Sequence, residues 1–166
     1  LHATLINCLA SSVFSFDDTH EQAVVHPSGP VAAALLALAE YRPASGADLM
    51  TAFALGIELE CRLCKAVTVP PAKGSMAWSG TGITAGLGAA VAAAKLLRFD
   101  VETTRRAMGM ALAQASGIRA MHGTMMTPMM PSLAGQTGLR AAMLAQQGYT
   151  AGLNALDRKS TRLNSS

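Results

Sequence analysis

The segment at residues 80–97, GTGITAGLGAAVAAAKLL, constrains the fold more than any other part of the chain. Gly82 and Gly86 stand four apart, and Gly86, Ala89, Ala90, Ala93 and Ala94 continue at helical spacing. A face made of residues this small lets another helix backbone approach closely, so the pattern predicts a helix, over about residues 84–97, packed tightly inside a core. Polar Ser75, Ser79, Thr81 and Thr84 interrupt the weakly charged run around it, and the dense apolar part from Ala85 to Ala94 is too short to span a bilayer.

Helix signals fill most of the remaining chain. Pro30 follows Ser28 and Gly29 and opens VAAALLALAEY, as a proline at the first helical position would. Ser45 and Asp48 form a capping-box pattern ahead of LMTAFALGIELECRLCKAV, which the pair Pro70 and Pro71 should end. Asp100 is the expected N-cap of VETTRRAMGMALAQAS, whose Ala107, Met110, Ala111 and Gln114 share a face and whose stop is Gly117. Residues 118–134 hold Pro128, Pro131 and five methionines, and are expected to be irregular, the methionines serving as adaptable packing. A last helix over residues 135–147 should end at Gly148. Alternating β-branched patterns are missing, and residues 67–69 are too brief to matter. The expected fold class is an all-α multi-helix bundle.

With 51% hydrophobic and 14% charged residues the chain is too apolar for disorder, and its charge is low for a free-standing domain, as expected of buried helices or of a surface awaiting a partner. The net charge of +3 owes two units to Arg158, Lys159 and Arg162 set against Asp157, so no basic nucleic-acid footprint remains. Aromatics, at 4%, are too few to stack single-stranded bases. Cys8, Cys61 and Cys64 do not make a disulfide framework, which favours a reducing, cytoplasmic setting. The C-x-x-C at Cys61 and Cys64 lacks a second pair for zinc and reads as two small apolar residues one helical turn apart. No signal peptide opens the sequence, and Leu1 in place of an initiating methionine puts the expected start upstream.

One stretch breaks the apolar pattern. FSFDDTHEQAVVHPSGP, at residues 14–30, gathers Asp17, Asp18, Thr19, His20 and His26 ahead of the helix at Pro30. Such a loop can present carboxylate and imidazole groups at a helix N-terminus, where backbone donors favour an anion. Divalent metal binding by Asp17, Asp18, His20 and His26 is a weaker reading, since no helical His-x-x-x-His supports it.

The order FDDTH, HPSGPVAAALLALAE, SGADLMTAFALGIELECRL, GLGAAVAAAKLL, AMGMALAQASG and GLRAAMLAQQGYT resembles the MmgE/PrpD family, which includes 2-methylcitrate dehydratases and cis-aconitate decarboxylases. The resemblance covers about residues 1–156 and implies part of a helical domain carrying most of an active site, a second α+β lid domain further along, and a homodimer in the full-length protein. It implies a small-molecule polycarboxylate as substrate, no cofactor, no metal, no nucleic acid and no membrane. Residues 157–166, DRKSTRLNSS, depart from the family pattern and are expected to be a disordered or foreign tail.

Carried over by residue, the resemblance places Thr19 and His26 in the substrate pocket and matches Asp17 and Asp18 to the paired aspartates. Three expected catalytic groups are replaced: an aspartate by Ser15, a histidine by Ser79 and a lysine by Met130. His26 is the first choice for general acid or base, since histidine titrates nearest neutrality, with Asp17 as the group that orients it. Thr19, Asp18, Ser79 and His122 are the substrate-binding candidates, Thr19 and Ser79 as hydrogen-bond donors to a carboxylate. The implied reaction is dehydration of a 2-methylcitrate-like acid. The alternatives are a diverged isomerase or decarboxylase of the same family, or a non-catalytic helical protein.

Overall fold

The computed structural model describes residues 1–68 and 77–157. Among the described residues six α-helices follow in order: α1 (His2–Ser12), α2 (Ser28–Tyr41), α3 (Gly46–Thr68), α4 (Gly80–Leu96), α5 (Val101–Leu112) and α6 (Met126–Gln146), with a 3₁₀ turn at Arg119–Met121. Among the described residues no strand forms, and the two β-bridges, His20 with Val25 and Trp78 with Ile118, are isolated. The fold is all-α, and none of the described helices is long and apolar enough to cross a membrane.

The small-residue helix is the axis of the bundle. α4 packs against α2, α3, α5 and α6, and every residue from Thr84 to Ala94 on it is buried. Close approach is what the glycines supply. A Cβ on Gly138 of α6 would run into the Gly86 carbonyl and lie 2.7 Å from Ala89 Cβ, and one on Gly56 of α3 would lie 2.8 Å from the Gly88 carbonyl. Around this centre Ala34, Leu38, Ala89, Ala93, Ala107, Leu139 and Ala142 form one apolar cluster, and Leu87, Ala90, Ala111 and Ala141 another. Mostly alanine, these clusters hold by closeness of backbones more than by side-chain bulk.

The local signals hold where capping geometry is visible. Asp100 accepts from Thr103 N–H at 2.7 Å. Ser45 Oγ accepts from Asp48 N–H at 3.1 Å and donates to the Asp48 carboxylate at 2.9 Å. Gly148, at φ +84°, follows the end of α6. Helix α2 begins at Ser28, so Pro30 is its third residue, still among the positions whose N–H has no helical acceptor. Pro70 and Pro71 lie outside the described residues, as does the tail after Asp157.

Two expectations need correction. Residues 118–134 are irregular only as far as Met125: α6 begins at Met126, nine residues before the expected start at 135, and runs through both prolines. Pro128 sits in the first turn, where a missing N–H costs nothing, and Pro131 forgoes the bond to the Thr127 carbonyl while lying buried. Helix α1 carried no signal strong enough to announce it and has no side-chain cap. Its inner face of Thr4, Cys8 and Ser12, each one turn from the last, is held by packing on α2 and α6. Burial pushes the Cys8 thiol up to about 11.

Candidate active site

Between α1 and α2 the chain loops through residues 13–27, and its path is fixed from two sides. Ala23 and Val25 are buried against Cys61 and Cys64 of α3, and the Cys64 thiol donates to the Ala23 carbonyl at 3.3 Å. Cys61 and Cys64 are therefore packing residues that anchor the loop. His20 closes a tight turn: its N–H meets the Val25 carbonyl at 2.9 Å and its Nδ1 accepts from Ala23 N–H at 3.3 Å. Within that turn Val24 stands at φ +50°, a left-handed conformation that a β-branched residue resists. Packing of Val25 outweighs the strain, and the turn leaves the next residue, His26, at the edge of a hollow.

His26 is held by three residues. Its N–H donates to Thr81 Oγ1 at 3.0 Å, tying it to the first turn of α4. Its Nδ1 lies 2.9 Å from the Asp18 carbonyl and 3.1 Å from Thr19 Oγ1. On α4, Ser79 is the N-cap, accepting from Gly82 N–H at 3.3 Å through Oγ, while its N–H donates to the Gly117 carbonyl at 3.0 Å. Because the Ser79 oxygen is the acceptor in that cap, its own proton is free for another partner.

The result is a cavity of about 270 Å³. The loop contributes Ser15, Asp17, Thr19 and His26, and the start of α4 contributes Ser79 and Thr81. The remaining wall is His122, Thr127, Pro128 and Pro131, with Ser12 from the end of α1. Of the residues singled out in the sequence, His26, Asp17, Thr19, Ser79 and His122 share this one hollow. Ser12, Thr81 and Thr127 were not singled out. Two of the three positions expected to depart from the family pattern, Ser15 and Ser79, line it, and the third, Met130, is buried on α6 beside Pro131.

Asp18 does not line this cavity. Its carboxylate accepts from Ser28 N–H at 3.2 Å and Ser28 Oγ–H at 2.8 Å, capping α2 from the preceding loop. The larger hollow on that side, about 390 Å³, is bordered by Asp17, Asp18, Phe16 and Leu36 but by no imidazole. Of these two hollows, imidazole side chains line only the smaller. No three His, Cys, Asp or Glu side chains among the described residues are grouped as a metal would require. The helices α4 and α6 both begin at the cavity, where the positive ends of their dipoles favour negative charge, whereas among the described residues Asp17 is the one acidic side chain in the lining and no lysine or arginine occurs there.

The MmgE/PrpD N-terminal domain model matches residues 1–164, and the chain belongs to that family. It is 34% identical over 163 residues to a cis-aconitate decarboxylase of Homo sapiens, covering 94% of this chain and 33% of the relative. The Mus musculus cis-aconitate decarboxylase is also 34% identical, over 164 residues, with 94% and 32% covered. A cis-aconitate decarboxylase of Aspergillus terreus is 28% identical over 162 residues, with 94% and 33% covered. The chain thus spans about a third of the length of the curated relatives it matches.

Proposed function

We propose that this domain supplies the acid–base half of a lyase acting on a small polycarboxylic acid. The observation that carries the reading is the shared cavity: two imidazoles, a carboxylate and the hydroxyls of Thr19 and Ser79 converge between two helix N-termini. In a dehydration, a base removes the proton beside a carboxylate and an acid protonates the departing hydroxyl. His26, whose ring is held through Nδ1 and whose backbone is tied to Thr81, takes the first role, and His122 in the same lining takes the second. Thr19 and Ser79 hold a substrate carboxylate through their O–H groups, and Asp17 balances charge as His26 takes up its proton. A 2-methylcitrate-like hydroxy acid suits this division of labour.

Decarboxylation is the second reading, favoured by the names of the relatives. It needs a proton donor to the developing carbanion, a task open to a protonated imidazole. The expected replacement of a lysine position by Met130 counts against it, because among the described residues no lysine or arginine stands in the lining.

The test is the complete protein incubated separately with 2-methylcitrate and cis-aconitate, following ultraviolet absorbance of the new double bond in one arm and released carbon dioxide in the other. His26→Ala is expected to lower turnover at least about a hundredfold in whichever arm is active. Unchanged kinetics in that variant would remove His26 from the mechanism, and silence in both arms would favour a non-catalytic domain.

A further inference from the structure

Asp18 is exposed, points away from the cavity and is nonetheless bound more completely than any other carboxylate of the loop. Both its oxygens are engaged by Ser28, the first residue of α2, one by the backbone N–H and one by the hydroxyl. That double tie fixes the position of its own backbone, whose carbonyl oxygen lies 2.9 Å from His26 Nδ1. A carbonyl can only accept, and two facing lone pairs at that distance would repel. The contact is therefore attractive only if Nδ1 carries the proton.

Two consequences follow for the ring. A neutral imidazole with its proton on Nδ1 presents Nε2 as a bare lone pair, and among the described residues Nε2 makes no hydrogen bond. Thr19 Oγ1, 3.1 Å from the same Nδ1–H, is then an acceptor there and keeps its own proton for something else. Free imidazole has no such constraint, so the choice of nitrogen must come from the loop.

We infer that Asp18 is the positioning residue of this site: by capping α2 it holds its carbonyl against His26 and fixes the Nδ1–H tautomer, making Nε2 the base and Thr19 a donor. This rests on the reading of His26 as the base but predicts something measurable without turnover.

The experiment is nitrogen-15 NMR of the complete protein labelled at histidine, with His26 assigned by its disappearance in His26→Gln and observed where its ring is neutral. In the parent, His26 Nδ1 should resonate as a protonated nitrogen and Nε2 as an unprotonated one. Asp18→Ala should move both towards averaged values, whereas Asp18→Asn, which can still meet Ser28 on both arms, should restore the parent pattern. A parent spectrum with the proton on Nε2, or an Asp18→Ala spectrum identical to the parent's, overturns the inference. Should Asp18→Ala fail to fold, Ser28→Ala, which removes one tie, replaces it with the same expected direction and the same overturning result.

In turnover, Asp18→Ala should lower kcat about ten- to a hundredfold with little change in KM, and Asn should rescue it. An NMR pattern that shifts as expected while His26→Ala leaves turnover intact would sink the functional reading alone.

Discussion

Helices α4 and α6 are sealed along their bodies and open at their starts. In the body, Gly86, Ala89, Ala134 and Gly138 bring the two backbones together until no side chain fits between them. At the mouth, Ser79, Thr81, Thr127 and Pro128 border a cavity and His26 hangs on Thr81. The difference teaches that the tight seam and the open site are one design: a rigid crossing fixes where two helix N-termini point, and the loop brings chemistry to them. Polar groups differ between the two regions. At the mouth Thr19 and Thr81 bond His26 and Ser79 caps α4, whereas in the interior both carboxylate oxygens of Glu60 and Thr4 Oγ1 are buried without a protein partner among the described residues.

The largest effect should come from closing the seam with bulk. Gly138→Leu would drive a side chain into the Gly86 carbonyl and Ala89, backbone and core atoms that cannot swing aside. The cost should reach the upper end of overpacking, about 3 kcal/mol or more, and appear in urea denaturation as loss of most of the folded baseline. A variant as stable as the parent would mean that the crossing is loose and the comparison false.

Next comes Glu60, the polar exception within the body, where a Cβ on Gly88 of α4 would lie 3.0 Å from its Oε2. Burial, and then the charge of Asp18, hold its carboxyl well above the usual carboxylate range. A folded value above the unfolded one means that the stability linked to this proton is fully present below about pH 4.3 and is lost as pH rises towards the folded value. Glu60→Gln keeps the shape and removes the charge. Its denaturation midpoint should therefore gain on the parent's as pH rises above the unfolded carboxyl's value, and parallel curves from pH 5 upward would refute the protonated form.

The smallest effect belongs to the mouth. Ser79→Ala removes the acceptor for Gly82 N–H and should cost about 1 kcal/mol in thermal melting without altering helix content by circular dichroism. A loss as large as that of Gly138→Leu would erase the distinction between mouth and body.

Sequence reasoning was strongest where structure is decided locally. The caps at Asp100 and Ser45, the stop at Gly148 and the small-residue face of α4 each act within one or two turns, so their signals sit together in the chain. Helix α1 and the first turns of α6 were hidden because what stabilises them lies elsewhere. Thr4, Cys8 and Ser12 make sense only against α2 and α6, and Pro131 inside a helix only once it is buried. For the candidate site, Thr19, His26, Ser79 and His122 were named but their convergence depends on tertiary folding. Asp18 shows the opposite limit, since its residue type was noticed while its cap on Ser28 and its carbonyl contact with His26 needed the path of the loop. Ser12, Thr81 and Thr127 lacked a signal apart from helical phase: Thr81 stands two residues past the Ser79 cap, and Ser12 two turns past Thr4.

The cavity's lining, which among the described residues holds Asp17 and no lysine or arginine, also sets how a charged guest is met. Long-range steering comes from net positive side chains, and what this lining itself adds is the attraction of the helix starts of α4 and α6, which fades within about one turn. As far as this lining governs the encounter, an anion is recognised on arrival, and the capture rate of such a guest should hardly respond to added salt.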